Sequence, residues 1–173
     1  YKANAERTRE RAKFLNFEDF LRSLEIKIEL QKVDSFNISR IAQMTQKTNQ
    51  FNLTTQRYSE ADVRQLLDNQ WKIYCIRVSD KFGDNGVVSV IIGKIEGTTL
   101  HIELWIMSCR VLKRDMEYAM MDTLVQQCRK NEISLVKGYY YPTAKNSMVK
   151  EFYALQGFTK EKEDENGNTI WYY

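Results

Sequence analysis

The sequence predicts a mixed α/β (α+β) domain, built on one mostly antiparallel sheet with helices on both faces. Apolar and polar residues alternate with period two in several runs between residues 73 and 107, which is typical of successive strands. A helical pattern starts after a short turn, and an apolar run at 134–141 follows it. A strand, a helix and a strand in this order join two parallel strands by a crossover, whereas the hairpins around them are antiparallel.

Length and composition limit the class of protein. The 173 residues are enough for one domain with a sizeable core, and 43% of them are hydrophobic. A net charge of +3 is too small, and the basic residues are too dispersed, to indicate nucleic-acid binding. No apolar run reaches the length that spans a membrane. We therefore expect neither a nucleic acid nor a membrane as partner.

The chain has three cysteines, Cys75, Cys109 and Cys128, and a single histidine, His101. This odd number and this spacing support neither a disulfide framework nor a zinc site. We expect a reducing, cytoplasmic setting and no metal in this domain.

Each predicted element follows from a local pattern. In the N-terminal half these are a charged helix over 1–13, a helix that Asn16 caps, a strand over 26–33, a helix from Ile38, and a helix that begins at the capping box of Ser59 and Asp62. In the middle they are strands over 73–78 and 87–95 joined by a tight turn at Asn85-Gly86, then a third strand from Gly97-Thr98. In the C-terminal half they are a long helix after residue 115, a strand over 134–141, a helix that Asn146 or Ser147 caps and Gly157 closes, and a hairpin around Asn166-Gly167 ending in a strand over 169–173.

Two elements carry explicit burial predictions. In the third strand, one face is expected to hold Leu100, Ile102, Leu104 and Ile106, and the other His101, Glu103, Trp105 and Met107. The last helix is expected to bury Met148, Val149, Phe152 and Leu155.

The segment 104–115 is the most informative part of the chain. A strand runs into it and an amphipathic helix leaves it, so backbone N–H groups at a helix N-terminus are available for a phosphate. The segment also contains Cys109 next to several cations, which lower the pKa of a thiol and favour a nucleophile. The alternative is that Cys109 is a small hydrophobic residue that only packs.

The order of elements, with Asn146, Phe152-Tyr153 and Gly157-Phe158 near the end, resembles the GNAT-type N-acetyltransferase fold. The segments 1–7, 46–55 and 107–112 further resemble the acyltransferase half of the FkbH-like family, in which a HAD-type phosphatase is fused to a GNAT-like domain. This resemblance implies that 1–13 is a connector helix from an upstream HAD-type domain and that 14–173 is a GNAT-like acyltransferase domain.

The same resemblance implies a function. A member of this family moves a glyceryl or other short acyl group onto the phosphopantetheine thiol of an acyl carrier protein, so the expected partners are that protein and the HAD-type domain. One alternative is a degenerate, non-catalytic module that docks a carrier protein or scaffolds the phosphatase. Another is a coenzyme A-dependent N-acetyltransferase.

GNAT enzymes hold the diphosphate of coenzyme A with an R/Q-x-x-G-x-G/A turn, which here corresponds to 110–115. Arg110 matches, but Lys113 and Asp115 fill the two glycine positions, and Asp115 is expected to cap the helix and repel a diphosphate. Acyl-coenzyme A is therefore the less favoured cofactor, and carrier-bound phosphopantetheine, with one phosphodiester, the more favoured. The residues expected at the cofactor are Met107, Ser108, Arg110, Val111, Lys113, Arg114 and Asn146.

Two groups complete the predicted site. Glu103 corresponds to a GNAT general base and Tyr153 to the general acid, although Glu103 could also belong to an ion-paired strand face and Tyr153 could simply pack. The neutral amides and hydroxyls of 47–55 suit the polar groups of pantetheine or a glyceryl chain, or else satisfy the backbone of the loop itself. The residues expected at the substrate are Asn49, Gln50, Asn52, Thr54 and His101. The third strand and the strand at 134–141 are expected to diverge near Cys109 and open a slot for pantetheine.

Overall fold

A computed structural model of the chain describes residues 2–111 and 115–173. The helices are α1 Lys2–Arg11, α2 Phe17–Ser23, α3 Ile38–Lys47, α4 Glu60–Asp68, α5 Met116–Lys130 and α6 Phe152–Leu155. The strands are β1 Lys27–Gln31, β2 Lys72–Asp80, β3 Gly83–Glu96, β4 Thr99–Met107, β5 Leu135–Tyr140, β6 Thr159–Glu163 and β7 Thr169–Tyr172. Short 3₁₀ turns span Cys109–Val111 and Ser147–Val149. No helix in the described ranges is long and apolar enough to cross a membrane.

The seven strands form one sheet in the order β1-β2-β3-β4-β5-β7-β6. Every neighbouring pair is antiparallel except β4 and β5, which are parallel from Thr99↔Leu135 to Ile102↔Gly138. The predicted mixed sheet with one parallel pair is therefore confirmed.

Each face of the sheet has its own apolar core. On one face, α3 and α4 bury Ile41 and Val63 together with Ile92 of β3. On the other face, α5 and α6 bury Met120 and Phe152 in the core that contains Trp105 of β4. Helices on both faces are therefore confirmed, and the central strands contribute side chains to both cores.

The facing pattern predicted for β4 is wrong beyond its midpoint. On β3, Ile92 pairs with Leu104 and Gly93 pairs with Ile102, so Glu103 is an extra residue in the ladder. Such a β-bulge reverses the faces of the side chains that follow it. Leu100 therefore packs in the core under α5, whereas Leu104 packs in the core under α3.

The β2–β3 hairpin turns earlier than predicted. Asp80 pairs with Gly83, which leaves Lys81 and Phe82 as the two turn residues, and Asn85-Gly86 lies within β3 where the register is irregular. The Asp80 carboxylate accepts a hydrogen bond from the Phe82 backbone N–H at 3.0 Å. This side chain fixes the turn, since Asp favours turns by bonding to the backbone two residues ahead.

The last helix is shorter than predicted. Val149 and Phe152 are buried as expected and Gly157 ends the helix with φ +88°, but Met148 is 55% and Leu155 68% exposed. The buried residues of α6 are the adjacent pair Phe152 and Tyr153, not a stripe along one helix face, and α6 has a single turn.

Helix α1 is docked on the β2–β3 hairpin. Arg7 donates to both oxygens of the Asp80 carboxylate, at 2.6 and 2.7 Å, and both side chains are nearly fully buried. Lys81 adds an ion pair with Glu10 at 2.8 Å, which lowers the pKa of the Glu10 carboxyl. The origin of 1–13 as a connector from an upstream domain stays a prediction.

Candidate active-site cleft

The parallel strands β4 and β5 separate halfway along their length. Their pairing ends at Ile102↔Gly138, one residue before the bulge at Glu103. From that point β4 no longer pairs with β5, so the predicted divergence of the two strands is observed, but it begins six residues before Cys109.

The gap between the strands is filled by residues 51–54, which we call the wedge segment. The Leu53 N–H donates to the Trp105 carbonyl at 3.2 Å, and the Met107 N–H donates to the Phe51 carbonyl at 3.1 Å. On the opposite side, the Tyr141 N–H donates to the Leu53 carbonyl at 2.9 Å. The segment thus bonds both strands as a short extra strand, and all four of its residues are buried.

Side chains fasten the wedge segment in place. The Asn52 amide donates to the Thr48 carbonyl at 3.0 Å and accepts from the Thr55 N–H at 2.8 Å. The Thr54 hydroxyl donates to the Glu103 carbonyl at 2.6 Å. Asn52 and Thr54, which were expected at the substrate, are thus engaged with the backbone of the loop and of the bulge.

Asn146 links the wedge segment to the end of β5. Its fully buried amide donates to the carbonyls of Asn52 and Tyr141, at 2.9 and 3.0 Å, and accepts from the Thr143 N–H at 2.7 Å. It makes no cap hydrogen bond with the following 3₁₀ turn within the described residues. Its expected contact with a cofactor stays a prediction, and its observed contacts are structural.

A cleft of about 390 Å³ opens where β4 ends, on the face of the sheet that α3 covers. It brings together six of the residues predicted at the site: Asn49, Gln50, Met107, Ser108, Cys109 and Arg110. The rest of its wall comes from residues that the sequence did not single out as site residues: Arg40, Met44, Lys47, Thr48 and Phe51.

The charged side chains of this cleft are all cationic. Arg40, Lys47 and Arg110 line it, and no carboxylate does so among the described residues. Burial and the nearby Arg110 guanidinium both lower the pKa of the Arg40 side chain. Because like charges are gathered here without a compensating acid, the cleft favours anionic ligands.

Cys109 is the exposed thiol of the chain and lies in this cleft. The other two cysteines are buried, and burial raises the pKa of the Cys75 thiol to about 12 and that of Cys128 to about 11. Of the three cysteines, only Cys109 therefore has the access that a nucleophile needs.

The structure does not bring Glu103 and His101 to this thiol. Glu103 is the bulge residue, and Met107 lies four positions further along the strand, a distance of about 13 Å. The His101 Nδ1 atom lies 2.7 Å from the hydroxyl oxygen of Tyr139, on β5. Both roles stay predictions, but neither side chain lines the cleft.

Tyr153 lies on the other face of the sheet, in the core under α5 and α6. Its ring packs on Gly138, where an added Cβ would come within 2.4 Å of it. Its buried hydroxyl makes no hydrogen bond of normal geometry in the described part of the chain, although the Tyr139 backbone lies close to it, and burial strongly raises its pKa. A general acid needs a path to the reacting atoms, which this position does not offer.

The turn at 110–115, which we call the phosphate turn, is described at its two ends only. Val111 is fully buried in the core, whereas Lys113 and Arg114 lie outside the described residues. Asp115 has φ +55° and makes no cap hydrogen bond to the described part of α5, so the expectation that it caps the helix is wrong. An N-cap side chain reaches the helix amides from an extended backbone, and Asp115 has a left-handed one.

The cleft residues that were not predicted from the sequence include three with a helical spacing. Arg40, Met44 and Lys47 have the spacing i, i+4, i+7 and lie along one side of α3. They flank the buried stripe that contains Ile41 and Thr45. A cationic stripe beside an apolar one usually faces solvent, so sequence reasoning gives it no special weight.

No family sequence profile matches the chain, and no curated protein sequence matches it. Solved structures do match. The ribosomal-protein-S18-alanine N-acetyltransferase of Escherichia coli superposes with a TM-score of 0.61 and 10% identity, over 84% of this chain and 92% of that one. The PaiA N-acetyltransferase of Thermoplasma acidophilum, in complex with coenzyme A, gives 0.58 and 14%, over 84% and 98%. A GNAT-superfamily phosphinothricin acetyltransferase of Sinorhizobium meliloti, in complex with AcCoA, gives 0.62 and 10%, over 84% and 87%.

Coenzyme A, which one of these structures contains as such and another as AcCoA, does not fit the described residues between β4 and β5. A pantetheine chain laid along β4 would need the backbone groups of Trp105 and Met107 that the wedge segment already occupies. The carboxylates of Asp115 and Glu117 at the start of α5 also disfavour a diphosphate. The chain therefore has the fold of the GNAT acetyltransferases, with the gap between its two parallel strands closed by its own residues.

Proposed function

We propose that this chain is an acyltransferase domain in which Cys109 accepts a short acyl group and passes it to a thiol. The observation that carries the proposal is that Cys109 is an exposed thiol in a cleft whose charged groups are all cationic. Cations stabilise a thiolate, and the thiolate is the nucleophilic form of cysteine. The GNAT fold of the chain supports the same class of reaction.

The reaction has two steps. In the first step, the Cys109 sulfur attacks the acyl carbonyl carbon and an S–C bond forms. The bond from that carbon to the leaving oxygen or sulfur of the donor breaks. The thiol proton leaves with the donor fragment. A second thiol then attacks the same carbon as a thiolate, its proton passing to water, and the Cys109 thiolate is released. The cleft supplies cations and no described carboxylate or imidazole, so proton transfer to solvent suits it better than a built-in base.

The acyl group that we propose is a glyceryl or another short acyl group, and the acceptor is the phosphopantetheine thiol of an acyl carrier protein. Three segments that resemble the FkbH-like family support this choice, and two of them, 46–55 and 107–112, contribute residues to the cleft wall. The same resemblance supports a HAD-type phosphatase domain as partner.

A non-catalytic module that docks a carrier protein is the second candidate. The closed gap between β4 and β5 favours it, because a GNAT fold without that opening has lost one approach to its centre. A coenzyme A-dependent N-acetyltransferase has the support of the fold alone, and the occupied edge of β4 weighs against it.

Intact-mass spectrometry of the protein and of a holo carrier protein tests the proposal. With acetyl phosphate or a glyceryl thioester as donor, we expect an acyl adduct on the wild-type chain that moves to the carrier protein. The Cys109→Ala variant should lose the adduct, whereas a variant with Cys75→Ala and Cys128→Ala, if it folds, should keep it. An unmodified wild-type chain with every donor, or an adduct that persists in Cys109→Ala, would contradict the proposal.

A further inference from the structure

The sheet has two edge strands, β1 and β6, and only one of them is protected against pairing with a further strand. An edge strand offers its outer backbone N–H and C=O groups to any strand that can approach. Strand β6 has the sequence Thr-Lys-Glu-Lys-Glu with every residue exposed, and its register with β7 shifts between Lys160 and Lys162. Charged side chains and irregular pairing are common means of blocking an edge, so β6 is a protected edge.

Strand β1 is regular and carries a row of apolar side chains. Its register with β2 continues without a shift over the whole strand. Ile26, just before the strand, and Ile28 are partly buried against the core under α5. Leu30 follows on the same face and is 39% exposed. The outer side of this apolar row is therefore open to solvent.

The other face of β1 carries a cation and an anion two residues apart, Lys27 and Glu29. Both side chains are exposed. Within the sheet, Lys27 lies opposite the neutral Ser79, whereas Glu29 lies opposite Arg77. Lys27 forms no ion pair with any residue in the described ranges, so its charge is available to a partner.

A second copy of the chain matches both rows of this edge at once. In an antiparallel pair about a two-fold axis, the residue at the axis faces its own copy, and its neighbours face each other in exchanged order. With Ile28 at the axis, Lys27 faces Glu29 of the second copy, and this opposite-charge pair occurs twice. On the other face, Leu30 faces Ile26 of the second copy. Opposite charges and apolar side chains that stand directly across from each other both stabilise a strand pair.

Other alignments of the same strand lose this match. With Glu29 or Lys27 at the axis, two like charges face each other, which destabilises a strand pair. With Leu30 at the axis, Glu29 faces the neutral Gln31 instead of a cation. The inner residues of β6 are all charged, so whichever of them lies at the axis faces its own charge. The alignment about Ile28 is therefore favoured for β1, and self-pairing of β6 is disfavoured.

We infer that two copies of this chain associate through their β1 strands, in antiparallel register about Ile28, so that the two sheets become one continuous sheet. This interface goes beyond the proposed acyl transfer and does not depend on it. Strand β1 is three strands from β4, or about 14 Å, so the residues of the Cys109 cleft are not part of the contact. One short strand from each copy makes a small interface, so the dimer dissociates on dilution.

Sedimentation velocity over a series of protein concentrations tests the dimer. We expect the wild type to pass from monomer to dimer as its concentration rises. Lys27→Glu sets a carboxylate against Glu29 of the second copy twice, and should weaken the dimer at least about tenfold, or 1.4 kcal/mol. Lys162→Glu is the matched control, since it makes the same change of charge at an exposed residue of β6 and should leave the equilibrium unchanged.

A mixture of two single variants tests the register. Glu29→Lys should also remain monomeric, because it sets lysines against each other. In a mixed pair, the two acidic residues of the Lys27→Glu chain face the two basic residues of the Glu29→Lys chain. An equimolar mixture should therefore form a heterodimer although neither variant dimerises alone, and the double variant Lys27→Glu/Glu29→Lys should dimerise like the wild type.

Thermal unfolding checks that the variants fold. Glu29→Lys sets a lysine opposite Arg77 within the chain, whereas Lys27→Glu lies opposite the neutral Ser79 and has no such effect, so it decides the test if the other variant is destabilised. The inference is overturned by a wild type that stays monomeric at about 1 mM. It is also overturned by a Lys27→Glu protein that dimerises like the wild type, or by growth beyond a dimer, which would indicate head-to-tail pairing of β1 with β6.

Discussion

The two halves of β4 differ in burial and in neighbours: the first alternates between half-buried and buried residues, and the second is buried throughout. The first half, Thr99 to Ile102, pairs in parallel with β5, and the second half, Trp105 to Met107, bonds with the wedge segment 51–54. The change occurs at the bulge of Glu103. One strand therefore belongs to a regular sheet in its first half and to the wall of a site at its end.

This difference explains where the chemistry is expected. The gap that opens after the bulge is filled by buried residues of the chain, so the backbone groups of β4 are satisfied internally. A ligand can instead approach the end of the strand, where Cys109 lines the cationic cleft on the α3 face. The wedge residue Phe51 forms part of that cleft and also lines the smaller apolar groove of about 190 Å³ between α5 and α6.

The largest expected effect concerns the thiols. Cys109 should react with iodoacetamide at least about a thousand-fold faster than Cys75 or Cys128, because a buried thiol reacts only after an opening of the fold that costs several kcal/mol. Their raised pKa values mean that both buried thiols stay protonated from pH 7 to pH 9. Peptide mass mapping over time measures the three rates. Similar rates in the native protein would contradict the assigned burial.

The next effect concerns the fastening of the wedge segment. Asn146→Ala should lower the free energy of unfolding by about 3 kcal/mol, because it leaves one buried and two partly buried backbone groups without this partner. Asn131→Ala is the control, since among the described residues this exposed side chain bonds only the Gln127 carbonyl, and its loss should cost less than about 1 kcal/mol. Urea denaturation measures both variants, and equal losses would mean that Asn146 does not hold the gap closed.

Tyr153 should give a smaller change of the opposite sign. Tyr153→Phe removes a buried hydroxyl that makes no hydrogen bond of normal geometry in the described ranges, so the free energy of unfolding should stay constant or rise by up to about 1 kcal/mol. Acyl transfer should be unchanged, because the ring lies under Gly138 on the far face of the sheet. A rate loss in a variant of unchanged stability would restore Tyr153 as the general acid.

The smallest effect is expected at the phosphate turn. Coenzyme A should bind the wild-type chain with a Kd weaker than about 1 mM, and Asp115→Gly should change that affinity by less than about threefold, or 0.7 kcal/mol. The reason is that the occupied edge of β4 remains after the carboxylate is removed. Calorimetry that gives low-micromolar binding to either protein would contradict the closed gap.

Much of the fold could be predicted because its signals are local. The capping box of Ser59 and Asp62 is observed with both of its hydrogen bonds, and the crossover from β4 to β5 gives the predicted parallel pair. The bulge at Glu103 could not be predicted. Beyond the bulge both faces of β4 are buried and hold apolar residues, so the pattern does not mark the change of face.

The site was predictable only in part. Cys109 and Arg110 follow directly from the strand-to-helix turn, but the role of the wedge segment depends on long-range backbone bonds that side-chain patterns do not encode. The amides and hydroxyls of 47–55 suit a ligand and a loop equally well, and Asn52 and Thr54 serve the loop. Arg40 can be recognised as a cleft residue only from the tertiary structure, because an arginine on a helix is ordinarily solvated.

Amide hydrogen exchange followed by NMR tests the closed gap most directly. The N–H groups of Leu53, Met107 and Tyr141 form the bonds that join the wedge segment to the two strands. We predict that these three amides exchange as slowly as the Val136 amide, which lies in the central sheet and bonds the Tyr173 carbonyl at 3.0 Å. Exchange as fast as that of an exposed loop amide such as Lys145 would show an open gap and contradict the account.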